Sequence, residues 1–351
     1  MNLLRILSGF FFLATFFPLI KSDKWWIRIF DYPRLQKLTI LILISLGWLI
    51  YSDLSQPEPW IWLGLIGIAV FYLGNQVYPF TPFGKKMIKK VPFREESGVH
   101  ILAANVYQYN VKYSKLLNLV QIERPDILFF VETDSKWEKA LNPLEKDYPF
   151  TIKIPLDNTY GLLFYSKLKI IRQEIHYLID SEIPSLELDI ELRNGDMITI
   201  FAIHPTPPVP GENSKSTDRD AEILIVGKKA KSSKLPSLVI GDLNDVAWSY
   251  TTELFLKISE MADPRRGRGT YNTFHAHYPI FRWPLDHVFL SKDFGLSKMK
   301  VHRNIGSDHF PISIKAVLIQ ERTVEPIRAN GDEKKEARQK ISNGLESGSK
   351  D

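Results

Sequence analysis

The sequence predicts an α+β protein, two stacked sheets with helices outside, preceded by an N-terminal region of transmembrane helices. Three observations predict it. Three uncharged apolar runs crowd into the first ninety residues. A β-α-β-α pattern starts near His100, so that both faces of a sheet are covered. Short strands then follow closely, two of them joined by Asn194-Gly195, a strong hairpin signal.

Composition narrows the functional classes. The chain has 351 residues, enough for one large domain and something smaller, and 44% are hydrophobic, which supports a sizeable core. It has no cysteine, which excludes disulfides, thiolate metal sites and cysteine nucleophiles. The net charge of +5 permits an anionic partner without singling out nucleic acid, because basic runs beside a membrane give the same sum.

The apolar runs cover residues 6–20, 38–52 and 60–83. The first two fall short of the roughly 20 residues that cross a hydrocarbon core. Arg5, Lys37 and Tyr51 extend them by snorkelling or by lying in the interface. A signal peptide competes for the first run, but residues 18–22 offer no small-residue cleavage site. Buried globular helices are disfavoured because the runs have almost no polar face. Residues 21–37 hold Trp25, Trp26 and five Lys/Arg, and Lys85, Lys86, Lys89, Lys90 and Arg94 follow the third run. The intervening loop 53–59 has no Lys or Arg, so the positive-inside rule puts the large domain in the cytoplasm. The expected organisation is a multi-pass anchor over 1–90, a folded domain over 98–319 and a disordered polar tail over 320–351.

In the folded domain, residues 101–107 read as a strand with Asn105 near its end. Asn110 is placed to cap a helix bearing Leu116, Leu117 and Val120 on one face, which Pro125 stops. A buried strand, 126–131, leads into Glu132, and Ser135 with Glu138 fits a capping box. Strands are expected at 150–154, 161–165, 170–178, 186–192 and 197–203, the last delivering His204. A Pro-rich loop and a helix over 217–232 lead to Leu238-Val239-Ile240. Gly241 then permits a sharp turn, and Asp242 and Asn244, two apart on an extended backbone, would point the same way. A helix over 251–261, a basic run at 265–268 and strands over 285–290 and 312–318 complete the domain.

A lone Glu after a strand is usually a solvated turn residue, and a lone histidine usually a surface or satisfied core residue. Here apolar strands repeatedly end in Asn105, Glu132, His204, Asp242, Asn244, Asp286, His287, Asp308 or His309. That recurrence gathers acids, amides and histidines at one rim, where carboxylates repel unless a cation neutralises them. Carboxylate, carboxamide and water suit Mg²⁺.

The segments Asn105-Val106, Val131-Glu132-Thr133, His204-Pro205, Gly241-Asp-Leu-Asn244, Leu285-Asp286-His287 and Ser307-Asp-His-Phe-Pro311 carry a resemblance. Together, over about 100–319, they resemble the endonuclease/exonuclease/phosphatase superfamily, and among its members bacterial proteins of unassigned substrate. The resemblance implies a four-layer α/β/β/α sandwich and Mg²⁺-dependent hydrolysis of phosphate mono- or diesters, with Mn²⁺ as an alternative ion. It implies that Glu132 is the principal metal ligand, aided by Asn105 and Asp308. It implies that Asp242 activates or orients the attacking water and that Asn244 holds water and phosphate. His309, oriented by Asp286, would contact phosphoryl oxygens, and His204 would be a second phosphate contact or the general acid. Ile203 stands where the family often has Thr or Ser, and His287 is expected to be structural.

Arg282 and Tyr160 are candidate substrate contacts, as is Arg265-Arg266, against a solvated role for each. His275 and His277 suit a metal pair or, more simply, a polar loop. The expected partners are the membrane and a phosphorylated lipid, because a tether raises the effective concentration of membrane substrates. Nucleic acid is the alternative substrate, and a non-catalytic membrane scaffold is the alternative of a different class.

Overall fold

The computed structural model describes residues 1–319 and 326–348. The chain divides into two compact units. The first comprises Met1–Lys85 with the loops Pro208–Ser216 and Arg266–Gly269; the second comprises the remainder.

The first unit contains α1 (Asn2–Phe16), the short α2 (Trp25–Arg28), α3 (Arg34–Tyr51) and α4 (Pro57–Val77). Three segments, Asn2–Leu19, Arg34–Tyr51 and Pro57–Phe80, are long and apolar enough to cross a membrane. Leu41, Ile44 and Trp48 of α3 pack on Ile66, Ala69 and Leu73 of α4, and Leu4, Leu7 and Phe11 of α1 lie against them. The buried Trp48 indole donates to Ser8 Oγ at 2.9 Å, satisfying both polar groups. Outward-facing Leu43, Ile50, Ile61, Ile68 and Phe71 stay exposed. Lys37 does not snorkel: it is buried, and its Nζ donates to Ala14 O at 2.9 Å and Phe30 O at 2.8 Å. It therefore satisfies the Ala14 carbonyl, which the end of α1 would otherwise leave unpaired, and ties it to the turn at Phe30.

The second unit is the predicted α+β sandwich. One sheet of six strands contains β1 (Gly98–Asn105), β2 (Ile127–Val131), β3 (Phe150–Ile154) and β4 (Leu162–Ser166). The second sheet holds β5 (Ile170–His176), β6 (Ser185–Glu191), β7 (Met197–Ile203), β8 (Ser237–Asp242) and β9 (Asp286–Leu290), in that order. β10 (Phe294–Val301) and β11 (Ile312–Leu318) return to the first sheet, whose order is β10-β11-β1-β2-β4-β3. Helices α5 (Tyr113–Glu123) and α6 (Ser135–Leu141) flank the first sheet, and α7 (Thr217–Ser232) and α8 (Tyr250–Ser259) the second.

The layers follow from side-chain alternation along each strand. Ile127, Phe129 and Val131 of β2 join Leu188, Ile200 and Ile240 in the core between the sheets. The intervening Leu128 and Phe130 pack outward with Leu116, Val120 and Trp137 of α5 and α6. On the other sheet, Phe201, Val239 and Phe289 pack with Leu224, Leu254 and Phe255 of α7 and α8. Strands buried on both faces are continuous apolar runs, which is why they were legible.

Several local expectations change. Asn110 does not cap α5; its Oδ1 accepts from Lys112 N–H at 3.0 Å and its Nδ2 donates to Val106 O at 3.1 Å, so it ties the loop to β1. Asp134, not Ser135, caps α6, accepting from the N–H groups of Lys136 and Trp137 at 3.0 and 2.9 Å. A carboxylate there also faces the positive end of the helix dipole. β10 carries Lys298 and Lys300 and is interrupted by a bulge between Leu296 and Lys298, which hid its alternation.

The tail expectation is corrected for residues 331–348. They form α9 (Gly331–Gly348), which lies on α7 and α8 with Ala337 and Gly344 buried. A Cβ at Gly344 would come 2.3 Å from Ala221 Cβ, so glycine lets α9 and α7 approach. Lys257–Glu333, Tyr250–Glu336 and Lys340–Asp220 contacts hold it. Its polar sequence reads as disordered because the energy of ordering comes from docking, which the local sequence does not display. Residues 320–325 and 349–351 of that expectation lie outside the described residues.

Candidate active site

The site is built where two parallel strand pairs end. β1 runs parallel to β2 with Asn105 beside Val131, and β7 runs parallel to β8 with Ile203 beside Gly241. Asn105, Glu132, His204 and Asp242 therefore emerge at strand ends. Antiparallel β9 starts there, pairing Asp286 with Asp242, and β11 starts just after His309.

Gly241 lies within β8, not in a turn. A Cβ there would sit 1.8 Å from Ile203 O, so glycine is required by close strand approach. The turn comes at Asn244, whose φ is +51°. This reorients the pair expected to point together. Asn244 N–H donates to Asp242 Oδ1 at 3.0 Å, while its carboxamide donates to Pro205 O at 2.9 Å.

Asn105 bridges two acids: its Nδ2 donates to Glu132 Oε1 at 2.6 Å and to Asp242 Oδ2 at 3.1 Å. Its Oδ1 accepts from Tyr107 N–H at 2.9 Å and keeps a second lone pair. Glu132 has φ +58°, which turns the chain sharply as it leaves β2. Among the described residues, its Oε2 has only a long 3.4 Å contact with Gln108 N–H. Burial pushes the Glu132 carboxyl up to about 7; Asn105 and His309 oppose this, and Asp308 and Asp242 add to it.

His309 is buried between two acids. Its Nδ1 lies 2.8 Å from Asp286 Oδ2 and its Nε2 3.5 Å from Asp242 Oδ2. Burial disfavours the imidazolium, but Asp242 and Asp286 outweigh it and raise its pKa to about 10. Burial likewise pushes Asp242 upward, yet His309 and His204 leave it below the usual range. Asp286 is raised, chiefly by burial. Ser307 Oγ donates to Asn105 O at 2.8 Å and accepts His309 N–H at 2.9 Å, tying the two motifs together.

His204 is 3% exposed, its ring faces Tyr160 at 5.4 Å, and its Nδ1 has no hydrogen-bond partner among the described residues. Burial lowers its pKa to about 4, so it is neutral at pH 7. Tyr160 is thus brought to the site and is 8% exposed, not solvated. Among the described residues, no hydrogen bond joins Arg282 to these acids or histidines; its Nη2 donates to Ala276 O at 3.4 Å. Its guanidinium stacks over Phe310 at 4.9 Å, beside His309 in sequence, and lines a cleft with Lys115, Lys300 and Arg303.

Arg265 and Arg266 are buried, not solvated. Arg265 pairs with Asp263 at 2.8 Å, and Arg266 faces Phe80 within the first unit. His287 is held by Arg265 Nη2 at Nδ1 (2.7 Å), so its Nε2–H donates to Asp245 O at 2.8 Å. His275 Nδ1 accepts His277 N–H at 3.1 Å, an arrangement of a polar loop. Thr273 was missed by sequence reasoning. Its Oγ1 accepts the Asp286 N–H at 3.1 Å, but a lone Thr thirteen residues upstream gives no signal.

The donor set fits a hard divalent cation. Glu132, Asp242 and Asp308 supply oxygens, and Glu132 titrates high among like charges that a cation would neutralise. Ligand atoms of Asp242, Asp286 and His309 also lie within 4.8 Å of one another, although Asp286 and His309 already satisfy each other. A second such group, Glu174, His176 and Glu187, is supplied with positive charge by Lys229 and Arg172, which reach Glu187 at 2.7 and 2.8 Å.

Two sheets between helices, with acids, amides and histidines at one set of strand ends, define the class of four-layer phosphoesterase-like sandwiches. The chain belongs to the endonuclease/exonuclease/phosphatase family, whose profile matches residues 102–309. Members of this family are metal-dependent hydrolases of phosphoester bonds. No curated protein matches the sequence. Similar solved structures include D. rerio TDP2 complexed with single-strand DNA product (16% identity, TM-score 0.53, covering 63% of this chain and 99% of that one). The human nocturnin catalytic domain with bound sulfate anion is another (15%, 0.52, 65% and 96%). A mannosyl-6-phosphatase of Bacteroides thetaiotaomicron is a third (16%, 0.50, 63% and 100%). At these identities the likeness is one of fold.

Proposed function

We propose that the chain is a membrane-tethered, Mg²⁺-dependent phosphoesterase acting on a lipid or lipid-linked phosphate. The observation that carries the reading is the continuous cluster Glu132–Asn105–Asp242–His309–Asp286, with His204 beside it, its Nδ1 without a hydrogen-bond partner among the described residues. Glu132, with Asp308 and the free lone pair of Asn105, would hold the cation, which supplies charge neutralisation at the phosphoryl oxygens. Asp242, low in pKa and fixed by Asn105 and Asn244 N–H, accepts a proton from or orients the attacking water. His309, kept protonated by two acids, donates to a nonbridging oxygen. His204 directs a neutral imidazole at the leaving group, and Tyr160 orients its ring. Asn244 sets the loop through its backbone, with its carboxamide engaged by Pro205.

The tether reading is supported by the three helices apolar enough to cross a membrane, and it favours a substrate that resides there. The positive-inside pattern supports a cytoplasmic domain. A nuclease reading has its own support: Arg282, Lys115, Lys300 and Arg303 line one cleft, and a similar structure holds single-strand DNA product. Cations along a cleft suit successive backbone phosphates.

The test is hydrolysis by the full chain in detergent, with Mg²⁺ and with EDTA. The substrates are phosphoinositides, sphingomyelin, a polyprenyl diphosphate, RNA, and single- and double-stranded DNA. Turnover of a lipid alone supports the proposal, and turnover of nucleic acid alone replaces it with the nuclease reading. No turnover of any by a folded protein removes the enzyme reading and leaves a scaffold.

A further inference from the structure

The loop that carries Asp242 and Asn244 is gripped from behind by a buried chain of charges. Arg219, in the first turn of α7, is 1% exposed. Its Nη1 donates to Asn244 O at 2.7 Å. Its Nη2 and Nε donate to Asp220 Oδ1 at 2.9 and 3.2 Å, and Nη2 lies 3.5 Å from Asp245 Oδ1. Asp220, fully buried, gives its other oxygen to Lys340 Nζ of α9 at 2.8 Å. An unbroken run of charge-assisted contacts thus leads from the C-terminal helix to the Asn244 carbonyl. That helix lies outside the 102–309 stretch shared with the family.

The contact falls where the backbone needs support. Asn244 occupies the left-handed region, which a non-glycine residue holds only when its surroundings fix it. The N–H of Asn244 is taken by Asp242 and its C=O by Arg219, so both flanking peptide planes are set. Rotating the second plane would loosen the first and turn the Asp242 carboxylate away from Asn105. Only a planar, multi-donor guanidinium can serve a carbonyl and two acids together; a lysine has a single nitrogen. Lys340 compensates the second oxygen of Asp220, so that both oxygens of this buried acid are paired and Arg219 stays in place.

We propose that Lys340, Asp220 and Arg219 form a positioning relay through which the C-terminal helix sets the geometry of the Asp242–Asn244 loop. The kinetic side of this proposal rests on the phosphoesterase reading; the structural side does not. Arg219 and Lys340 are positioning residues, acting through the loop and not on substrate.

The experiment compares Lys340→Ala, Lys340→Arg, Arg219→Lys and Glu333→Ala in the full chain. Glu333→Ala removes the same helix's contacts to Lys257 Nζ and to Asn330 N–H while leaving Lys340, Asp220 and Arg219 in place. Two readouts are taken: steady-state kinetics, and hydrogen exchange of a peptide covering residues 241–249. Lys340→Ala and Arg219→Lys are expected to lower kcat about tenfold with KM nearly unchanged, and to speed exchange in that peptide. Lys340→Arg restores both, and Glu333→Ala changes neither. Wild-type kinetics and exchange in Lys340→Ala, or the same defects in Glu333→Ala, would overturn the relay. If the wild-type protein hydrolyses no phosphoester, the functional reading falls by itself, and the exchange data alone decide the relay.

Discussion

Asp286 Oδ2 receives His309 Nδ1–H at 2.8 Å, and this contact aims His309 Nε2 toward Asp242, 3.5 Å away. One acid thereby orients the ring and the other shares its charge. Asp286→Asn removes the anion and keeps the shape. We expect kcat to fall roughly 10²–10⁴-fold with little change in KM. The sign of the pH effect follows from His309. Held at about 10, it stays protonated through pH 9. Without Asp286 its pKa falls, so the alkaline limb of the variant's pH–rate profile should move to lower pH. An unmoved limb would separate His309 from the rate.

Glu132 couples cation binding to pH. Its carboxyl titrates at about 7 without a cation, so a bound proton competes with the ion below that pH. Affinity for Mn²⁺, read by electron paramagnetic resonance, should be nearly constant above pH 7. Below it, affinity should weaken about tenfold per pH unit for one displaced proton. Glu132→Gln should abolish the dependence together with tight binding. A flat profile in the wild-type protein would assign the ion to other residues.

His100 predicts acid sensitivity of the fold. It is buried in β1, and burial, with Lys315 adding, lowers its pKa to about 4. The unfolded chain protonates near 6.5, so the stabilisation is full above that pH. It is lost as pH falls from 6.5 to 4, on the order of 3 kcal/mol in all. Chemical denaturation of wild type and His100→Gln across this range should show the variant with the flatter dependence. Parallel curves would contradict it.

Gly241 predicts a backbone limit. Gly241→Ala would place a methyl 1.8 Å from Ile203 O, and neither strand can retreat without losing ladder pairs. We expect a loss of roughly 3 kcal/mol or more, seen as a lowered melting temperature or failure to fold. A variant as stable as wild type would show that β7 and β8 separate freely.

The apolar content of the strands was legible because both sheet faces are buried, so β2, β7 and β8 read as near-continuous apolar runs. Asp242 and His309 were legible because each follows such a run or sits in a motif. Arg219 and Thr273 were not, since one is an ordinary helix residue and the other lies in a loop. Their importance comes from partners at Asn244 and Asp286, distant in sequence.

The sequence by itself determined the class of structure: apolar helices first, then an α+β sandwich with polar residues at strand ends. Periodicity and turn chemistry are local, and local patterns suffice for that. Tertiary structure alone decided that Asn244 turns its carboxamide to Pro205, that Gly241 serves strand approach, and that residues 331–348 form a docked helix. Each depends on free energy gained between segments tens to more than a hundred residues apart, which no local window of sequence contains.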